Sequence, residues 1–361
     1  MKKILYVLAL VAALASCARP QADSFPQVPA HRGCHLEGLI PENSIAGVEM
    51  AARFGYPAIE MDVKYTLDSV LVIMHDGTIN RTMRLAEGYA EIPEPVRVTE
   101  SLFDDLRTKY VLASDDPSQR QPIPTLVEML EACKRCGIHP VLHSHINDSY
   151  DVAQEMMGDG WTCFTSSLEN VAYARTFSHC DVLFDPGRVP ASNCVAKLQP
   201  YGERCGMSTM KYDMLDAGYI STMHAAGMNT QSSIFPAPHE ADAIRDKADI
   251  ILSDFCWLQT EGRKPIREHK ARYVPLESVS TYYDVCPEEP EFAAMVLEFR
   301  FKGEGNVRIG ATGVEYPLSS EEEQSFVVGY RFLRDKPSFF ITATGENGLT
   351  LKGLRARYYK I

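Results

Sequence analysis

The sequence predicts an α/β fold, a (β/α)8 barrel followed by a small all-β sandwich, on three observations. From Val28 onward short apolar runs alternate with amphipathic stretches, the pattern of strands joined by helices in a parallel sheet. A barrel and an open sheet both satisfy that alternation, and a count of about eight strand-helix units is the number a closed barrel requires. After about Pro265 the pattern changes to alternating or aromatic runs separated by Gly, Asn, Asp and Pro turns, which reads as a separate all-β module. The expected boundaries are 28–264 for the barrel and 268–361 for the β module.

The elements follow in order. Val28 to His31 is the first strand, and Asn43-Ser44 caps a helix whose apolar residues Ile45, Val48, Met50, Ala51 and Phe54 recur at helical spacing. Ala58 to Val63 is the second strand. Val70 to Met74 is an apolar run that either pairs with it as a local ribbon or counts as a barrel strand. The stretch from Gly77 to Gln121, rich in Pro, Asp and charge, reads as an irregular loop insertion near function. Thr125 caps a helix to Cys136 that Gly137 ends, and the strand His139 to His145 follows. Strands Thr162 to Ser166, Asp181 to Phe184, Arg204 to Ser208 and Asp249 to Ser253 complete the set, with helices at Leu168 to Thr176, Met214 to Ala226 and Pro238 to Lys247 between them.

The 361-residue chain carries a formal net charge of -12, which argues against coating nucleic acid or an anionic membrane through bulk electrostatics. An anionic substrate must therefore be recognised locally. Met1-Lys2-Lys3 and the apolar run Ile4 to Ala13 have the layout of a secretory signal, too short for a stable span. Leu14-Ala15-Ser16-Cys17 resembles a bacterial lipobox. Residues 1–17 are thus expected to be a lipoprotein signal with lipidated Cys17, 18–27 a Pro-containing linker, and the product an exported, membrane-tethered protein of periplasm or cell surface. Export permits disulfides among the ten cysteines, but Cys133-Lys134-Arg135-Cys136 has no second CxxC to complete a zinc site and reads as helix-face cysteines without a redox task.

One constellation carries chemistry. Residues two apart on a strand point to the same side, so Glu60 and Asp62 present two carboxylates together, a geometry suited to a hard divalent cation. His31 and His75 stand at or just past the ends of apolar runs, where barrel active sites collect, and imidazole moves protons near neutral pH. Arg32 can grip a phosphate bidentately, and Glu42 can orient a histidine or the arginine.

Ala30-His31-Arg32-Gly33, Pro41-Glu42-Asn43-Ser44, Glu60-Met61-Asp62-Val63, Val72-Ile73-Met74-His75-Asp76 with Arg81, and Ile123-Pro124-Thr125-Leu126 occur in the order of the successive motifs of the glycerophosphodiester phosphodiesterases. From about Val28 to Asp254 the chain resembles that family. The resemblance implies a (β/α)8 barrel of the phosphatidylinositol phosphodiesterase type and a divalent cation, calcium or magnesium, on Glu60 and Asp62. It also implies His31 and His75 as general acid and base in an order the sequence leaves open, with Arg32 on the phosphate. His143 and His145 stand where the family has a metal-binding Glu and a substrate-binding Lys. An imidazole ligand at His143 turns the expectation toward manganese or zinc, and His145 is expected on the substrate phosphate. The family's tryptophan is missing from Asn229-Thr230-Gln231-Ser232-Ser233, which implies a more polar pocket for the leaving alcohol.

The expected activity is metal-dependent hydrolysis of a small-molecule glycerophosphodiester to glycerol phosphate and an alcohol. Two alternatives remain at the level of sequence. One is a phosphodiesterase or cyclising lyase acting on a phospholipid or glycan-linked diester, and the other a non-catalytic surface lipoprotein whose β module contacts glycan or protein.

Overall fold

The computed structural model describes residues 28–35, 40–53, 55–209, 214–233, 248–252, 267–270, 281–284, 294–309, 315–331 and 340–359. The expected leader, its linker and the helix Pro238 to Lys247 lie outside the described residues.

The barrel begins with β1 (Pro29–Ala30), α1 (Ile45–Arg53) and β2 (Ala58–Tyr65). Its sheet continues through β6 (His139–His143), β7 (Thr162–Thr165), β8 (Asp181–Phe184), β9 (Cys205–Thr209), β10 (Thr230–Ser233) and β11 (Ile250–Leu252). The order is β1-β2-β6-β7-β8-β9-β10-β11, every neighbouring pair is parallel, and β11 returns alongside β1 to give a nearly closed barrel. β3 (Leu71–Ile73) pairs antiparallel with the far end of β2, so the Val70 to Met74 run is a ribbon on β2.

Both faces of β2 are covered, as expected for a parallel strand under helices. Ile59 and Met61 pack outward into the main core with Leu126, Leu130 and Leu142, while Ala58 joins Val141, Phe164, Leu183 and Ile250 inside the barrel. Glu60 and Asp62, alternating with Ile59 and Met61, share the inner face with Ala58. Two helices that the sequence reading passed over, α4 (Asn147–Met157) and α6 (Ala191–Leu198), complete the wrapping together with α3 (Leu126–Cys136), α5 (Leu168–Ala174) and α7 (Ala217–Ala225). α3 has the expected boundaries: Thr125 and Glu128 form a reciprocal capping box, and Gly137, left-handed at φ 66°, stops the helix. Cys133 and Cys136 are free thiols on it, and burial pushes the Cys133 thiol upward.

The stretch from Gly77 to Gln121 is ordered, contrary to its reading as an irregular loop. It contains a two-stranded antiparallel sheet of β4 (Met83–Leu85) and β5 (Tyr110–Leu112), with α2 (Phe103–Lys109) between them. Its Ile79, Met83, Val98, Leu106 and Leu112 pack with the flanking Val72, Met74 and Ile123 into an apolar core separate from that of the barrel. These residues are spread over short elements with no sustained period, which is why the sequence pattern conceals them.

The C-terminal segment is all β. β12 (Arg267–Lys270), β13 (Thr281–Asp284), β14 (Ala294–Ile309), β15 (Glu315–Arg331) and β16 (Phe340–Tyr359) form one five-stranded antiparallel sheet. Runs read as separate strands, Ala294 to Phe301 and Asn306 to Gly310, are continuous in β14, because register shifts next to Gly303 and Glu304 break the alternation without ending the strand. Phe299 and Phe326 stack across it with centroids 4.8 Å apart. Among the described residues no helix is long and apolar enough to cross a membrane.

Candidate active site

The site is assembled by the turn that follows β1. Arg32 and Gly33 are both left-handed, at φ 51° and 76°, so the chain reverses directly after His31. A Cβ at position 33 would stand 3.3 Å from the Gly47 carbonyl carbon of α1, so glycine is needed for both conformation and approach. The reversal brings the Arg32 amide 3.0 Å from Glu60 Oε2 and its Nη1 3.0 Å from Glu42 Oε1. Arg32 Nε is buried without a hydrogen-bond acceptor, Asp62 Oδ2 being 3.6 Å away. This unsatisfied donor is positioned to take an anionic oxygen.

Asn43 serves the site and does not cap α1. The cap is Ser44, whose Oγ accepts from the Gly47 amide at 3.0 Å, helped by Gln121 Oε1 on the Ile45 amide. Asn43 is left-handed at φ 51° and turns its amide onto Asp62: Nδ2 donates to Oδ2 at 2.9 Å, and Oδ1 accepts from the Asp62 amide at 3.2 Å.

Asp62 and His143 are register partners on β2 and β6. His143 Nδ1 lies 3.1 Å from Asp62 Oδ1 and 3.5 Å from Glu60 Oε1, and the ring stacks on Phe164 with centroids 4.3 Å apart. Burial opposes protonation of His143, but the hydrogen bonds and charges of the two carboxylates outweigh it and raise its pKa to about 10. Burial likewise works against the Asp62 carboxylate, yet His143 and Asn43 hold it down at about 2. The negative charge of the two carboxylates thus keeps the imidazole between them protonated. Glu60, Asp62 and His143 offer three ligand atoms within 4.8 Å of one another. Two carboxylate oxygens and one imidazole nitrogen fit a divalent cation, which would displace the proton from His143.

His31, buried, follows β1 and stands one position beyond the Ala30–Ile59 register pair, level with Glu60. His75 follows β3, whose end is tied to β2 by the Met74 amide donating to the Asp62 carbonyl at 2.9 Å. Its Nδ1 is 2.7 Å from Asp76 Oδ1. His145 lies two residues past the end of β6, not on the strand as read from the sequence. Its ring sits edge-on to His143 with centroids 5.9 Å apart, and its Nδ1 is 2.8 Å from Thr165 Oγ1. Burial, then the charges of His143 and Lys64, lower its pKa, so it approaches the site as a neutral imidazole. Gln231, fully buried beside β9, donates to Ser208 Oγ at 2.8 Å while its Oε1 lacks a partner.

Glu60, Asp62 and His143 are carried on β2 and β6, His31 and Arg32 on the turn after β1 and Glu42 on the turn before α1, while His75 and His145 each lie two residues beyond the ends of β3 and β6. Two contributors were missed. Asn43 looked like a cap because it precedes a helix, and Asp76 stood in the motif around His75 and Arg81 without a role of its own.

The fold is thus that of a nearly closed parallel barrel whose strand ends and adjoining turns gather carboxylates, imidazoles and the Arg32 guanidinium, a donor set able to hold a divalent cation. The chain belongs to the glycerophosphoryl diester phosphodiesterase family, whose profile matches residues 31–229. Glycerophosphodiester phosphodiesterase 1 of Mus musculus is 33% identical over 146 residues, an alignment covering 39% of this chain and 40% of the mouse protein. The chain therefore spans less than half the length of that relative. A glycerophosphodiester phosphodiesterase from Caldanaerobacter subterraneus is 42% identical over 64 residues, 18% of this chain and 25% of the relative. Among solved structures, an Oleispira antarctica phosphodiesterase in complex with the product sn-glycerol-3-phosphate superposes with a TM-score of 0.51 at 20% identity, covering 63% of this chain and 93% of that one. A glycerophosphodiester phosphodiesterase from Parabacteroides distasonis gives 0.50 at 20% identity over 65% and 95%. At that identity the shared feature is the fold.

Proposed function

We propose that the protein hydrolyses glycerophosphodiesters to glycerol phosphate and an alcohol, with a divalent cation held by Glu60, Asp62 and His143. The observation that carries this reading is the convergence of these three side chains, within 4.8 Å at their ligand atoms, beside a guanidinium with an unused N–H. Family membership and the relatives' named activity support the same reaction.

The bound cation would neutralise nonbridging phosphate oxygens and polarise phosphorus. Arg32 orients the phosphate through its Nε, while Glu42 and the Glu60 carboxylate fix the side chain and backbone of that arginine. The hydrolytic step adds water to the P–O(alcohol) bond: the water oxygen bonds to phosphorus, one histidine of the His31 and His75 pair takes its proton, and the other protonates the departing alkoxide. His75 enters with its Nδ1 facing an ionised Asp76, so Nε2 is the nitrogen free for exchange.

Purified protein assayed on glycerophosphodiesters with added divalent cation is expected to release glycerol phosphate, and His31→Ala to lower kcat by about 100-fold or more. Equal turnover in the variant, or no turnover on any diester, would refute the assignment.

A further inference from the structure

We propose that Arg81 is a positioning residue that fixes His75 through Asp76 and ties it, through Glu42, to Arg32. The inference rests on the reading in which His75 moves a proton. Arg81 makes four hydrogen bonds: Nε and Nη2 to Asp76 Oδ2 and Oδ1 at 2.6 and 3.1 Å, Nη1 and Nη2 to Glu42 Oε2 and Oε1 at 2.9 and 2.7 Å. The guanidinium is a rigid planar fork, so two bidentate pairs on one plane set the distance and mutual orientation of the two carboxylates. Each carboxylate then acts on a second group. Asp76 Oδ1 faces His75 Nδ1 at 2.7 Å, and Glu42 Oε1 accepts from Arg32 Nη1 at 3.0 Å.

A carboxylate only accepts hydrogen bonds, so Asp76 requires the proton of neutral His75 to sit on Nδ1 and leaves Nε2 open. Hydrogen bonding from Arg81 is the largest influence holding Asp76 ionised, which supports this assignment. Without Arg81, the Asp76 carboxylate and the imidazole lose the partner that defines their plane. Glu42 would also lose one of its two guanidinium partners.

The insertion core supports this arrangement. Arg81 lies between Ile79 and Met83, both fully buried in that core. The adjacent Asn80 is bound three times: Nδ2 donates to the Ile92 and Glu94 carbonyls at 3.1 and 2.8 Å, and Oδ1 accepts from the Val96 amide at 2.9 Å. The ordered insertion is therefore the scaffold that aims Arg81 back at the barrel. Arg81 is half exposed, but four of its five N–H groups are already committed to carboxylates, which favours positioning over direct binding of substrate.

The test is kinetic and spectroscopic, on full-length enzyme with divalent cation present. Arg81→Met, Arg81→Lys, His75→Ala and the Arg81→Met/His75→Ala double variant are compared on a glycerophosphodiester, with unfolding midpoints confirming that each is folded. Arg81→Met is expected to lower kcat about 10- to 100-fold with KM nearly unchanged, and Arg81→Lys, a point charge that cannot form both bidentate pairs, to recover only part of the loss. In the His75→Ala background, Arg81→Met should cost little more. The 15N spectrum of His75 should change from a single Nδ1–H tautomer to a mixture in Arg81→Met. A rise in KM with intact kcat, losses that multiply fully in the double variant, or an unchanged His75 tautomer would overturn the inference. Full activity in His75→Ala would instead overturn the proton role of His75. Inactivity of His75→Ala beside full activity of Arg81→Met would overturn the Arg81 inference alone.

Discussion

Asn43 holds Asp62 from two sides, donating from Nδ2 to the carboxylate and accepting the backbone amide on Oδ1. Hydrogen-bond partners of this kind fix the orientation of a carboxylate that binds metal. Asn43→Ala is expected to weaken divalent-cation affinity about 10- to 100-fold, read by titrating chelator-stripped protein; unchanged affinity would show that Asp62 needs no support. His143 differs in kind. Its imidazole lies against both carboxylates, so a cation held by the three would have to expel the proton they share. These roles were unequally legible. Glu60 and Asp62 could be read from strand alternation alone, because period two places them together wherever β2 lies. Asn43 could not, since a polar residue before a helix has a complete local explanation as a cap, and only its left-handed backbone turns it inward.

At the scale of elements, β6 joins the site to the barrel's opposite end. His143 closes the strand and His139 opens it, with Nε2 2.9 Å from Thr162 Oγ1. Burial depresses the His139 pKa from the ordinary 6.5 to about 4. In the folded protein it stays neutral while the unfolded chain takes up a proton, so its contribution is complete above pH 6.5 and lost as pH falls toward 4. The loss is about 1.4 kcal/mol per pH unit. Urea unfolding at pH 7.5 and 4.5 should therefore show the natural protein losing about 2 to 3 kcal/mol more than His139→Gln; equal losses would place His139 outside this linkage. Helix α3 was legible to the residue because its capping box and glycine stop are local signals. The end of β6 was not. The sequence His139-Pro140-Val141-Leu142-His143-Ser144-His145 keeps its alternation past the point where pairing with β2 ends, and His145 leaves the strand to meet Thr165.

At the scale of the whole molecule, eight parallel strands bring together residues more than a hundred positions apart, and that closure follows from burying both faces of every strand. The barrel could be read from alternation and count. The insertion between β3 and α3 could not, because its core is drawn from scattered apolar residues on short elements, yet it aims Arg81 at Glu42 and Asp76. The C-terminal strands announced β structure but not their length, since glycines and register shifts divide a continuous strand into apparent pieces. In the proposed function the carboxylate and imidazole cluster holds the cation on which diester hydrolysis depends. The most direct measurement strips the purified protein with a chelator and returns calcium, magnesium, manganese or zinc while glycerol phosphate release is followed, beside Asp62→Asn. Turnover is expected to disappear on stripping, to return with a divalent cation, and not to return in Asp62→Asn. Full turnover of the stripped protein, or full recovery in Asp62→Asn, would contradict that dependence.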